Sequence, residues 1–299
     1  MAIPLASRDE REAAAEHGRI CALATECLRD LQECAAAYPD LFPPDPFGPT
    51  VFSGVALANA FGSPWADAGR IRIAARTALW AFAADWLVDH VATSPEEIDA
   101  FAEGCTAVAE GAAGNVPLER LLASVRAELT ASAVWPALAP AWRDALRRYV
   151  EASAREWRWK AAAARGERSA LPTVEEYLAN ADNFGSHLVN VSHWIAGETV
   201  DTLERLRPLA AAGEEVQRAL RLVNDLATYE RDLAWGDLNS LMLGAGREEI
   251  TRRVDELADR CERLIAPLED GLPREAAYLR RQLGYSIGFY GTSDYWGDR

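Results

Sequence analysis

At 299 residues, 49% of them apolar, the chain is long enough for one large core or for two small ones. Its net charge of −15, from 31 Lys and Arg against 46 Asp and Glu, speaks against nucleic acid or an anionic membrane surface as partner. An anionic substrate would need local help, from metal ions or a few placed arginines. Apolar residues recur at helical spacing almost everywhere, and no alternating run is flanked by tight-turn dipeptides. The pattern therefore predicts a single all-α domain over residues 1–299. Five cysteines, Cys21, Cys27, Cys34, Cys105 and Cys261, form no CxxC pair and read as buried thiols of a reducing compartment. The first residues are too charged for a secretory leader, and the most apolar stretch, 71–92, contains Arg76, Asp85 and Asp89. The expectation is a soluble, cytoplasmic protein without a membrane span.

In chain order, residues 1–10 read as a polar tail and 12–38 as a helix. The proline-rich stretch 42–49 excludes helix and predicts an ordered crossover. A short helix over 51–60 and a long one over 66–91 follow. Ser94, Pro95 and Glu97 give the start signals of the next helix, which runs to Gly111, with a loop over 111–117. Residues 118–164 predict two helices broken near Pro136 and Pro140, and 165–172 a loop. Thr173 and Glu176 form a second capping box, opening a helix over 177–195 that kinks at Gly185-Ser186. Gly197 and Pro208 bracket a connection, Gly213 marks another break, and 214–233 is helical. Residues 235–240 make a turn with a short helix after it; 247–268 and 274–290 supply the last helices. The end of the chain, 285–299, is aromatic with no core of its own and reads as a lid.

Two stretches carry chemistry. Asn224, Thr228 and Asp232 stand at i, i+4 and i+8, so their oxygens line one slightly drifting helix face. Oxygen-only ligands suit a hard divalent cation such as Mg²⁺, which leaves room for water and phosphate oxygens. Alone, such a stripe is equally well a solvated polar face. Upstream, however, Asp85 and Asp89 stand at i and i+4 among Phe82, Trp86, Leu87 and Val88. Carboxylates on an apolar helix face are costly unless paired or metal-bound. Two such helices facing each other would make a metal site.

This pair of motifs resembles that of class I terpene synthases, in the single α-domain form common in bacteria. The resemblance implies an all-helical bundle around a central apolar cavity, with both motifs facing a prenyl diphosphate and three Mg²⁺ ions. Asp85 and Asp89 match the first and last aspartates of Asp-Asp-x-x-Asp, with Trp86 in the second place. Asn224, Thr228 and Asp232 match the Asn, Ser/Thr and Glu of the second motif; Asp232 is one methylene short, and Glu230 is its understudy. Arg221 matches a diphosphate-binding arginine of plant-type members, and Arg231 is a second candidate. The strings Ala227-Thr228-Tyr229-Glu230 and Gly236-x-x-Asn239-Ser240 are also similar to plant-type sequences. Glu176-Tyr177-Leu178 is not followed by the sensor arginine of bacterial members, and their C-terminal Arg-Tyr pair is absent.

The implied activity is that of a carbon–oxygen lyase. Ionisation of the prenyl diphosphate is followed by cation cyclisation to a terpene hydrocarbon or alcohol, in an apolar pocket closed to water. Phe82, Trp86, Phe184, Trp194, Phe289 and Tyr290 are the aromatic candidates for its wall. His90, His187 and His193 have no metal-ligand spacing and read as structural. The plant-like features favour a twenty-carbon (C20) substrate, linear or bicyclic, over farnesyl diphosphate and a sesquiterpene product. Chain elongation would need a second Asp-Asp-x-x-Asp, and protonation-initiated cyclisation an Asp-x-Asp-Asp; neither is present. A non-catalytic helical interaction protein would explain the Ala-rich helices but not the two oxygen-bearing ones. A second copy of the chain, in a homodimer, is the one candidate protein partner.

Overall fold

The computed structural model describes residues 8–297, which contain helices and connections and no strand. The helices are α1 (Arg8–Ala36), α2 (Pro49–Gly62), α3 (Ala68–Trp86), α4 (Pro95–Ala109), α5 (Pro117–Thr130) and α6 (Trp135–Ala164). Then come α7 (Val174–Ala179), α8 (Ser186–Gly197), α9 (Leu203–Trp235), α10 (Arg247–Ile265) and α11 (Pro273–Tyr290). Both predicted capping boxes form: Ser94 with Glu97 opens α4, and Thr173 with Glu176 opens α7. The chain start expected as a polar tail is already helical at Arg8, and residues 1–7 lie outside the described range.

Several expected breaks are absent, for identifiable reasons. Pro136 sits in the first turn of α6, where no backbone N–H is needed, and Pro140 lies inside the helix. Trp135, Leu138 and Trp142 are buried along that stretch and hold it, so the break falls earlier, over 131–134. Pro208 and Gly213 are both inside α9, which runs for 33 residues. A Cβ at Gly213 would stand 3.3 Å from the Trp194 ring and 3.4 Å from the Asn190 amide, so this glycine lets α8 lie close on α9. Gly185 does the opposite. At φ 78° it separates a 3₁₀ turn (Ala181–Phe184) from α8, a full break where a kink was expected.

The long helix expected over 66–91 is α3 followed by a π turn, Leu87–Val91, in which the Ala92 N–H reaches the Leu87 carbonyl at 2.8 Å. Helix α3 packs against α1, α2, α5 and α8, while α9 packs against α8, α10 and α11. Both helices pack against α8, and side chains of both line one cavity. Trp80, Trp142, Tyr149 and Tyr177 are among the largest fully buried side chains. Their polar heads are used: Trp80 donates to the Leu118 carbonyl (3.1 Å), Trp142 to Ser192 Oγ (3.1 Å) and Tyr149 to the Ala81 carbonyl (3.0 Å). Arg76 donates to both oxygens of Asp30 (2.8 and 2.6 Å) and to Glu128 (2.7 Å), tying α1, α3 and α5 together. Four of the five cysteines are buried, and burial pushes the Cys27 and Cys261 thiols up to about 12. No helix among the described residues is long and apolar enough to cross a membrane.

The αL break at Gly185 can be tested directly. A Cβ there meets Tyr149 at 3.2 Å and Ala81 at 3.3 Å, in addition to the conformational cost. Gly185→Ala is expected to lose about 2 kcal/mol of stability, measured by urea unfolding.

Candidate active site

Helix α3, its π turn and α9 all present oxygen-bearing side chains to a single cavity. Asp85, Asp89, Asn224 and Asp232 line it, as do Arg221 and Arg231. Thr228 is buried behind them and gives its hydroxyl to Asp232 Oδ2 at 2.6 Å. Four of the five candidate ligands are therefore gathered around one space, with Thr228 braced against the fourth. Glu230, the understudy, is on the exposed face of α9 and is excluded by its direction.

Asp85 has the least compensated carboxyl. Burial and the neighbouring carboxylates of Asp89 and Asp237 hold it well above the usual carboxylate range. Asp89 is also raised by burial, although Lys160 pulls it back. Lys160, on α6, donates to Asp89 at 2.9 Å and to Asp237 at 2.6 Å, and so stitches the π turn to the loop after α9. His90 stands 3.6 Å from Asp237 and stacks on Trp86 at 4.3 Å between ring centroids. It belongs to the cavity wall, which its spacing in the sequence did not suggest. His187 and His193 are not in that wall; His193 pairs with Ser63 Oγ at 3.0 Å and stacks on Tyr278 at 4.3 Å.

The α9 side is braced by the loop that follows it. Asn239 donates its amide to Asp232 Oδ2 and to the Asp225 carbonyl, both at 2.9 Å. Asp225 itself accepts from the Tyr177 hydroxyl (2.9 Å) and the Ser240 N–H (3.1 Å), and burial pushes it up to about 6. Arg221 is held on all sides. Its Nε donates to the Tyr177 hydroxyl (2.6 Å), Nη1 to Asn183, and Nη2 to both oxygens of Glu156 (3.0 and 2.8 Å). Burial raises Glu156 to about 7 despite that arginine. Arg231 pairs with Asp232 and with Asp294 of the C-terminal tail, each at 2.9 Å.

Of the six aromatic candidates, Phe82, Phe184 and Tyr290 line the cavity. Trp194 is fully buried between α8 and α9, behind the wall. Phe289 and Trp86 pack one layer out, against Tyr295 (4.8 Å) and Trp296 (5.9 Å) respectively. Those two tail residues are themselves lining. The segment expected as a lid from residue 285 onward is thus two things. Up to Tyr290 it is the end of α11, and over 291–297 it packs on Phe47, Phe82 and Trp86. Residues 298 and 299 lie outside the described range.

Lys160, Glu156, Asp237, Asn183, Tyr295 and Trp296 were missed as site residues. A signal existed for two of them: Glu156 and Lys160 share the i, i+4 spacing of Asp85 and Asp89, also among tryptophans. The donor set suits a hard cation, being all oxygen and short of counter-charge at Asp85. Among the described residues no three His, Cys, Asp or Glu side chains close a metal site unaided.

Solved structures show the same architecture. 2-Methylisoborneol synthase from Streptomyces coelicolor A3(2), in complex with Mg²⁺ and 2-fluoroneryl diphosphate, superposes with a TM-score of 0.70 at 18% identity, covering 90% of each chain. Linalool/nerolidol synthase from Streptomyces clavuligerus, in complex with 2-fluorogeranyl diphosphate, gives 0.63 at 20% identity over 89% of this chain and 94% of that one. The fold is that of the class I terpene synthases. In sequence, the chain is 29% identical over 283 residues to the ent-pimara-9(11),15-diene synthase of Streptomyces sp. (strain KO-3988), covering 92% of this chain and 93% of that protein. Residues 76–264 match the family described as terpene synthase family 2, C-terminal metal binding, and the chain belongs to that family of enzymes.

The Lys160 bridge makes a measurable claim. Lys160→Met leaves Asp89 and Asp237 facing each other without a cation. In chelator, it is expected to lose about 3 kcal/mol in urea unfolding. Added divalent cation should recover part of that loss, more than it gives the wild type.

Proposed function

We propose that this chain removes diphosphate from a prenyl diphosphate with the help of Mg²⁺ and cyclises the resulting allylic cation. The observation that carries this reading is the composition of one cavity lining: six carboxylates and two arginines together with aromatic and aliphatic groups. Held by Asp85 and Asp89 across from Asn224, Thr228 and Asp232, three Mg²⁺ would supply the positive charge that draws off the leaving diphosphate. The C–O bond breaks with its electron pair going to diphosphate, which leaves a cation on the hydrocarbon.

The protein's own groups then have separate tasks. Arg221, already oriented by Glu156, Asn183 and Tyr177, has a guanidinium N–H left over for a phosphate oxygen. It stands in for the sensor arginine that the 3₁₀ turn lacks. Phe82, Phe184, Tyr290, Tyr295 and Trp296 turn ring faces or edges to the hydrocarbon and exclude water. A twenty-carbon substrate, linear or bicyclic, is the favoured length. It rests on the plant-like strings around α9 and on likeness to a diterpene synthase along nearly the whole chain.

Incubation with prenyl diphosphates of graded length, read by diphosphate release and mass spectrometry, tests the reading. Cyclic C20 products formed only with Mg²⁺ are expected; turnover confined to farnesyl diphosphate would overturn the chain length. Asp85→Ala should lower turnover at least about a thousandfold with the helical fold intact, a loss of about 4 kcal/mol in transition-state stabilisation. Arg221→Ala should lose far more activity than Arg231→Ala, and Arg221→Lys should restore only part. Wild-type turnover by Arg221→Ala would remove this arginine from the site.

A further inference from the structure

The C-terminal tail contributes wall as well as cover. Tyr295 and Trp296 line the cavity beside Phe82, at ring distances of 5.1 and 5.5 Å. Tyr295 also packs on Phe289 (4.8 Å) and Tyr290 (5.8 Å). The tail's shape is set by Asp294, which accepts the N–H groups of Trp296 (2.6 Å) and Gly297 (2.8 Å) while pairing with Arg231. Opposite Tyr295 stands Gly54, buried on α2. A Cβ built there would lie 2.7 Å from Tyr295 Cδ1, closer than real Cβ atoms come, and 3.0 Å from Cε1. Gly54 is therefore a seat: the ring lies in the space its missing side chain leaves, and that sets how far the ring projects inward.

We propose that Tyr295, seated on Gly54, determines the length of prenyl chain this cavity accepts. The proposal rests on the function proposed above and adds a residue pair that controls specificity. A p-hydroxybenzyl group is larger than one isoprene unit, so removing it opens room for a longer chain. Filling the seat instead pushes the ring into the cavity and shortens the accepted chain. Two substitutions at one contact thus act in opposite directions. Discrimination in a hydrophobic pocket runs at roughly 10–200-fold per methylene, so the effects are large enough to read.

The experiment measures kcat/KM for C15, C20 and C25 prenyl diphosphates, with diphosphate release as readout. Tyr295→Ala is expected to raise the C25-to-C20 ratio at least about tenfold, and Gly54→Ala to raise the C15-to-C20 ratio by a similar factor. In the Tyr295→Ala background, Gly54→Ala should have almost no further effect on either ratio, because the ring it displaces is gone. A tail acting only as a lid would change kcat for all lengths together and leave the ratios fixed; that result overturns the proposal. So does a Gly54→Ala effect that persists without Tyr295. If Gly54→Ala fails to fold, the Tyr295→Ala ratio decides alone. Wild-type protein that releases no diphosphate from any of the three substrates would instead overturn the parent reading, and this one with it.

Discussion

Six carboxylates share the wall of one cavity with two arginines, and the rest of the site is arranged around that imbalance. Burying an ionised carboxylate without a partner is among the most expensive things a fold can do. The protein meets the cost in three places with one cation between two anions each time. Lys160 sits between Asp89 and Asp237, Arg231 between Asp232 and Asp294, and Arg221 beside Glu156 with Asp225 behind it. Asp85 is left over. Its carboxyl is driven up by burial first and then by Asp89 and Asp237, and Lys160 offsets only part of this, which leaves it short of counter-charge. An anion entering this wall without accompanying cations would be repelled.

The same three bridges join elements that are distant in sequence. Lys160 ties α6 to the π turn and to the loop after α9; Arg221 ties α9 to α6 and to the 3₁₀ turn before α8. Arg231 ties α9 to the tail. Charge and architecture are therefore coupled. The acidic wall is thereby held from α6, from the turn before α8 and from the tail at once.

What was legible in the sequence follows the physical range of each signal. Helical periodicity and capping boxes are local, so the all-α class and the starts of α4 and α7 could be read directly. Proline and glycine misled wherever tertiary packing outweighed their local preference. Pro140 and Pro208 remain in helices, and Gly213 is small for the benefit of Trp194 on another helix. The ligand candidates on α3 and α9 were visible because each set repeats along its own helix. Lys160, Asp237 and Asn183 were not, because each acquires its role from partners distant in sequence, 27 residues from Asn183 to Glu156 and 77 from Lys160 to Asp237. The aromatic wall was half legible for the same reason: composition shows which rings exist, and only packing shows which face inward.

The π turn after α3 has a consequence for insertions and deletions. An i→i+5 turn holds one residue more than an α turn, and here it lies between Asp85 and the Lys160 bridge. Losing that one residue would leave a regular helix, locally more comfortable than before. It would also rotate Asp89 and His90 by about 100° about the helix axis, away from Lys160 and Asp237. The length of this short segment is thus under the control of an ion pair on another helix. A chain with the same residues and one fewer spacer would keep its helices and lose the fastening of its first acidic motif to the loop after α9.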